Sequence, residues 1–146
     1  MIKQLVPEEF CLSCKGCCRF SQENSPWSPR LLKEEIAVLS KDKNNYFCIA
    51  DDYKIRLEAS GGKDIFFCAF FNSQNNKCKI YAGRPFECQL YPFLINRSSE
   101  GIIFLAVDRN CPFIDQNIDK DNTKSYVSYL SELLNSSYFR QILINN

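Results

Sequence analysis

Apolar residues recur along this chain with two different periods, and the switch from one to the other lays out its elements. Pro7, Glu8 and Glu9 start a helical turn that delivers Cys11. From Ser28 the spacing is helical: Ser28 is the expected N-cap, Pro29 takes the first helical position, and Leu31, Leu32, Glu34, Glu35, Ile36, Val38 and Leu39 follow. The polar run Asp42, Lys43, Asn44, Asn45 ends that helix, and Trp27, just ahead of its cap, is expected to pack against it.

The period then shortens. Tyr46 to Ala50 is an apolar run whose Cys48 reads as a buried thiol rather than a ligand, because no other cysteine lies near it in sequence. Tyr53, Ile55 and Leu57 alternate with Lys54, Arg56 and Glu58, the pattern of a half-buried strand. Ser60 to Asp64 turns the chain into a second, strongly apolar strand from Ile65 to Phe71, and the polar loop Asn72 to Lys77 returns it at Cys78. These segments read as a hairpin. Gly101 to Val107 is a continuous apolar run expected to be a buried strand, and Asp121, Asn122 and Thr123 cap a last helix. That helix carries Tyr126, Tyr129, Leu130, Leu133 and Leu134 on one side, continues through Phe139, Ile142 and Leu143, and is expected to pack on the core.

Cysteines change this picture from a small mixed fold to one built for chemistry. Cys11, Cys14, Cys17 and Cys18 fall within eight residues, as C-x2-C-x2-C-C. A C-x2-C turn lets two sulfurs converge on one ion while backbone N–H groups point towards them. The adjacent Cys17 and Cys18 are a different matter, because neighbouring side chains diverge by about 100° in a helix and to opposite faces in a strand. Either one of them turns to a second site, or the two help bridge a larger cluster. A second set, Cys68, Cys78 and Cys88, is spaced by nine residues each time, and Cys111 stands before Pro112. Arg84 is placed to offset thiolate or cluster-sulfur charge, while Pro85 and Pro92 stiffen the segment that presents Cys88.

Composition narrows the chemistry. Nine cysteines is an odd number for a disulfide framework, and the first residues carry no apolar run of signal-peptide length, so reduced thiols in the cytoplasm are expected. There is no histidine, which removes Cys/His zinc fingers, the Cys–His nucleophilic dyad and imidazole general bases together. A metal held mainly by thiolate is zinc, iron–sulfur or copper(I) rather than magnesium or calcium. With 18 Lys and Arg against 17 Asp and Glu, the charge balance offers neither a nucleic-acid face nor a polybasic membrane patch. Gly61-Gly62 reads as a turn, since neither G-x-G-x-x-G nor a P-loop pattern is present.

Taken together, these motifs resemble the YkgJ-like cysteine-cluster family, described as zinc- or iron-chelating domains and including the cluster region of flagellin lysine N-methylases. The resemblance rests on C-x2-C-x2-C-C at Cys11 to Cys18, Cys68, C-x-I-Y-x-x-R-P-x-x-C at Cys78 to Cys88, Y-P-F at Tyr91 to Phe93, and Cys111-Pro112, over residues 10 to 115. It implies that Cys11, Cys14, Cys17, Cys18, Cys68, Cys78, Cys88 and Cys111 belong to the metal site, in one centre or two. Lys15, Arg19, Lys77, Lys79 and Arg84 would compensate the charge of about −2 that either a four-thiolate zinc or an oxidised four-iron cluster carries. The adjacent Cys17-Cys18 and the Cys-Pro step incline the reading to an iron–sulfur cluster over zinc.

The expectation is therefore an α+β fold, a small irregular single domain over 1–146 with a short antiparallel sheet and flanking helices around a cysteine-ligated metal centre. Three functions follow: metal binding as iron–sulfur or zinc; by resemblance, an S-adenosylmethionine-dependent lysine N-methylase or its accessory subunit; or a structural zinc interaction module. The partner these readings imply is another protein, with neither nucleic acid nor a membrane involved.

Overall fold

A computed structural model describes residues 2–139 except Lys15, Lys63 and Tyr138. The chain is α+β, with six helices and three short antiparallel sheets among the described residues. It falls into two compact units, one formed by Glu8–Gln89 and the other by Met1–Pro7 with Leu90–Asn146.

In the first unit, α1 (Glu8–Ser13) delivers Cys11 as its sequence suggested, with two glutamates in the first turn where they complement the helix dipole. The chain then enters β1 (Arg19–Phe20), an edge of the three-stranded sheet β1-β3-β2, in which β2 is Leu57–Ala59 and β3 is Phe66–Cys68. Both pairings are antiparallel, with Arg19 opposite Phe67 and Leu57 opposite Cys68. A hairpin follows at once, β4 (Phe71–Asn72) with β5 (Lys77–Cys78), which sets Phe71 opposite Cys78. Where one hairpin was expected there are two antiparallel pairings, because the apolar run from Ile65 to Phe71 is split between two sheets. Leu31, Leu39, Ile55, Cys68, Phe70 and Phe71 form the buried core here.

Several local expectations are corrected. The helix that begins the α/β segment is α2 (Lys33–Leu39), capped at Leu32 rather than at Ser28. Ser28 is buried instead, its hydroxyl donating to the Ile55 carbonyl, and Arg30 forms a bridge with Lys54 that holds this stretch extended. Trp27 does not pack on the helix but is 71% exposed. Asp42 does not end a helix but starts the short α3 (Lys43–Tyr46), accepting from the Asn44 N–H. Tyr53 is not in a strand: it is exposed and has φ 62°, and Ile55 makes only an isolated bridge with Ile49.

After a 3-10 turn at Tyr81–Gly83, α4 (Phe86–Leu90) carries Cys88. The second unit contains β6 (Phe93–Arg97) and β7 (Ile103–Val107), a two-stranded antiparallel sheet, then α5 (Pro112–Asn117) and α6 (Asp121–Asn135). Strand β7 is not buried as its composition suggested: Ile103 and Phe104 are exposed and Leu105 to Val107 half-buried, and Ile102 just before it is 60% exposed. Pro92, in a cis bond after Tyr91, is fully buried. The face of α6 with Thr123, Tyr126 and Leu130 is buried, as its periodicity predicts, and the Tyr126 hydroxyl donates to the Lys3 carbonyl at 2.6 Å. Its expected extension through Ile142 and Leu143 lies outside the described residues. No described helix is long and apolar enough to cross a membrane.

Candidate metal centre

Backbone pairing, rather than sequence proximity, brings the two cysteine sets together. Cys18 immediately precedes β1, and its carbonyl accepts from the Cys68 N–H at 3.1 Å, extending the β1–β3 ladder by one rung. Two residues beyond Cys68 the Phe70 carbonyl accepts from the Lys79 N–H at 2.7 Å, so the second hairpin places Cys78 on the same side of the unit. Cys18, Cys78 and Cys88 all pack against the buried cluster that contains Cys68.

Cys88 is delivered by the start of α4, whose position is fixed by two glutamates. Glu35 on α2 accepts from the Phe86 N–H at 2.6 Å and, with its other oxygen, from the Leu32 N–H at 2.9 Å. Glu87 accepts from the Arg30 N–H at 2.7 Å. Burial pushes the pKa of both carboxyls up, opposed by these N–H donors. The fully buried Pro85 completes the anchor, its carbonyl accepting from the Gln89 N–H at 2.9 Å.

The same thiols bear on one another's ionisation. Burial pushes the Cys68 thiol up to about 12, with Cys78, Cys48 and Cys17 adding to the rise. Burial likewise raises Cys78 and, well above its ordinary value, Cys88, on which Cys68, Cys17 and Cys78 all act. Cys17 is raised chiefly by its side-chain hydrogen bond with Cys18, and Arg84 pulls the other way. The charges of Cys17, in the turn before β1, of Cys68 on β3 and of Cys78 on β5 thus all bear on Cys88 on α4, although Cys17 is itself exposed. Burial that disfavours the thiolates of Cys68, Cys78 and Cys88 is a cost that a nearby cation offsets.

Basic side chains border this group. The Arg84 guanidinium lies 4.1 Å from the Tyr81 ring centroid and its charge favours the thiolates of Cys17 and Cys78. Lys79 donates from Nζ to the Ala69 carbonyl at 3.0 Å and favours the thiolates of Cys78 and Cys48. Arg19 instead stacks on Phe71 and Phe67, 4.6 and 5.6 Å from the ring centroids, and Lys77 is exposed; Lys15 lies outside the described residues.

Cys11 and Cys14 sit on and just after α1, both half-buried. Gly16 leaves room beside them, since a Cβ there would stand a tight 3.2 Å from the Cys14 sulfur. Cys111 is in the second unit, buried, and is the N-cap of α5 with Pro112 following in the first turn. Cys48 is half-buried rather than buried, and packs against the same core as Cys68. No disulfide joins any of the nine. Among the described residues no three Cys, Asp or Glu side chains are closed on a point fit for one ion. The donors are soft thiols bordered by cations, with Cys68 buried, Cys78 and Cys88 half-buried and Cys17 exposed, a set that suits zinc or iron rather than a hard cation.

One side chain that sequence reasoning passed over binds the two sets together. Asn76, in the β4–β5 loop with φ 59°, donates to the carbonyls of Leu12 and Cys14, the latter at 3.2 Å, and accepts from Arg19 at 2.7 Å. Its only sequence signal was an asparagine in a polar loop, which tolerates left-handed backbone.

No solved structure matches the chain at a significant level. An uncharacterized protein of Methanocaldococcus jannaschii is 27% identical over 93 residues, covering 58% of this chain and 44% of that protein, so the match spans less than half of the relative's length. The CxxCxxCC family model, described as "Putative zinc- or iron-chelating domain", matches residues 10–112, which include all nine cysteines and support metal binding through them. The chain belongs to the CxxCxxCC family.

Proposed function

We propose that this protein binds a thiophilic metal, as an iron–sulfur cluster or as zinc, at a centre whose principal ligands are Cys17, Cys68, Cys78 and Cys88. The observation that carries the reading is the packing of Cys18, Cys78 and Cys88 against the buried cluster that contains Cys68, with the charges of Cys17, Cys68 and Cys78 all bearing on Cys88. Ionising one of them beside the others is costly; a divalent cation or a cluster reverses that cost, because coordination favours the thiolate. Cys18, whose carbonyl is tied to Cys68, and the pair Cys11 and Cys14 supply further donors from the same segment.

The iron–sulfur form is the one we favour, since adjacent donors at Cys17 and Cys18 suit several metal atoms better than one tetrahedral ion. A cytoplasmic setting, where glutathione and thioredoxin keep thiols reduced, suits nine cysteines without a disulfide. The test is elemental analysis with visible absorption on protein prepared without oxygen. Iron and sulfide with broad visible bands are expected. Colourless protein with stoichiometric zinc and no iron ends the iron version and leaves the zinc version standing; protein free of both metals ends the reading.

A further inference from the structure

A cavity of about 280 Å³ opens within the first unit, lined by residues from 23–28 on one side and 50–57 on the other. Hydrogen bonds tie the two sides together. The Pro29 carbonyl accepts from the Ile55 N–H at 2.9 Å, and the buried Ser28 hydroxyl donates to the Ile55 carbonyl.

Charges of both signs line the cavity without pairing with one another. Glu23, Asp51 and Asp52 line it together with Lys54 and Arg56, yet the only ion pair among the described residues is Arg109–Asp115, in the other unit. Asp52 accepts from the Lys54 backbone N–H at 3.2 Å rather than from its ammonium. Lys54 acts on Glu87, outside the cavity, without forming an ion pair with it. The Arg56 guanidinium makes one long bond, 3.4 Å, to the Ile49 carbonyl, which leaves most of its five donors unused. Opposite charges that border one cavity and stay apart are open to a ligand that carries both signs.

Ser25 adds a buried donor. It lines the cavity, is 6% exposed and accepts from the Trp27 N–H at 3.3 Å, while its own hydroxyl hydrogen has no acceptor among the described residues. A buried donor without an acceptor is costly, and an oxygen of a bound ligand removes that cost.

We infer that this cavity binds a small zwitterion with one extra positive charge, of the class of the free basic amino acids. Three carboxylates against two cations give the lining a net charge of −1, which a ligand with one carboxylate and two cationic groups complements. The ligand carboxylate takes Lys54, Arg56 and the Ser25 hydroxyl, and its cationic groups take Glu23, Asp51 and Asp52. The volume lies just under the roughly 300 Å³ at which pockets for drug-sized ligands begin, and suits an amino acid rather than a nucleotide. The inference does not rest on the metal reading, since no cysteine lines the cavity.

Trp27 is the sole tryptophan of the chain and stands in sequence between the two buried serines of the lining, so its fluorescence reports on occupancy. The experiment titrates L-arginine into the full-length chain at constant ionic strength, read by that fluorescence and by calorimetry. Saturable binding is expected. L-arginine methyl ester, which lacks the carboxylate, and L-norvaline, which lacks the guanidinium, are each expected to bind about 10-fold more weakly. In Lys54→Met the affinity for arginine is expected to fall towards that for the ester, and in Asp51→Asn towards that for norvaline. Circular dichroism checks that both variants fold; should either fail, the ranking of the three ligands on the wild-type chain decides alone. No saturation in calorimetry, or equal affinities for arginine, its ester and norvaline, overturns the inference and leaves the metal reading intact. An arginine affinity unchanged in both folded variants overturns it equally.

Discussion

Asn76 donates its side-chain amide to the Cys14 carbonyl at 3.2 Å, so the loop between β4 and β5 holds the first cysteine segment by its backbone. The same amide reaches the Leu12 carbonyl, and its oxygen accepts from an Arg19 guanidinium that is itself stacked on Phe67 and Phe71. One residue before Lys77 and two before Cys78, Asn76 ties both cysteine sets to one rigid hairpin. Groups that orient ligands without touching the metal are worth about 10–100-fold in affinity.

Replacing it separates orientation from folding. Asn76→Gly tolerates the left-handed backbone but removes the three bonds, and is expected to weaken metal binding by about 10-fold while costing about 1–3 kcal/mol of stability. Asn76→Asp is expected to be worse, because a carboxylate would face two carbonyl oxygens. Chelator competition read beside urea unfolding checks both; unchanged affinity in Asn76→Gly refutes the latch.

A methyl group at Gly16 tests the first segment directly. In Gly16→Ala the new Cβ would stand 3.2 Å from the Cys14 sulfur, which has to give by a few tenths of an ångström. The expected outcome is an affinity loss of about 10-fold with helix content unchanged, measured by chelator competition and far-UV circular dichroism. Full wild-type affinity would mean that Cys14 takes no part in holding the metal.

Glu35 gives a pH dependence whose sign follows from burial. Its carboxyl pKa is raised above the ordinary 4.5, chiefly by desolvation. A raised folded-state value means that the contribution of this group is fully present below pH 4.5 and is lost as pH rises through the folded-state value. Glu35→Gln is therefore expected to flatten that decline in urea midpoints collected upward from pH 4.5. Glu35→Ala strands the N–H groups of Leu32 and Phe86 and is expected to cost about 1–3 kcal/mol at neutral pH. A decline just as steep in Glu35→Gln would assign the effect elsewhere.

Arg84 combines a charge with a stack. Its guanidinium lies over Tyr81 and favours the thiolates of Cys17 and Cys78. Arg84→Ala is expected to lower metal affinity and to lose about 0.5–1 kcal/mol with the cation–π contact. Arg84→Lys is expected to restore part of the affinity, because it keeps the charge without the planar face. Equal affinities in all three proteins would show the arginine to be structural alone.

How far the sequence revealed this arrangement depended on the range of the interaction. The turn at Pro7 to Glu9, the antiparallel pairing around Cys68 and the buried face of α6 were legible, since short-range spacing determines them. The cap at Ser28 failed because its hydroxyl is committed to Ile55, which is remote in sequence, while Glu35 takes the Leu32 N–H. Strand β7 reads as buried from its composition, yet burial depends on what covers a face, and Ile102 and Phe104 stay open. At the site, the cysteine sets were plain in the spacing. Asn76 and the place of Cys48 were not, because both depend on partners brought near only by the sheets.

The bond between Asn76 and Cys14 spans 62 residues, and that separation has a meaning during synthesis. At about 5–20 residues per second, the latch follows Cys14 off the ribosome by roughly 3–12 s. Through that interval the carbonyls of Leu12 and Cys14 lack the side-chain donor that holds them in the folded chain. The order of the chain thus leaves the first cysteine segment without its anchor until the β4–β5 loop has been made.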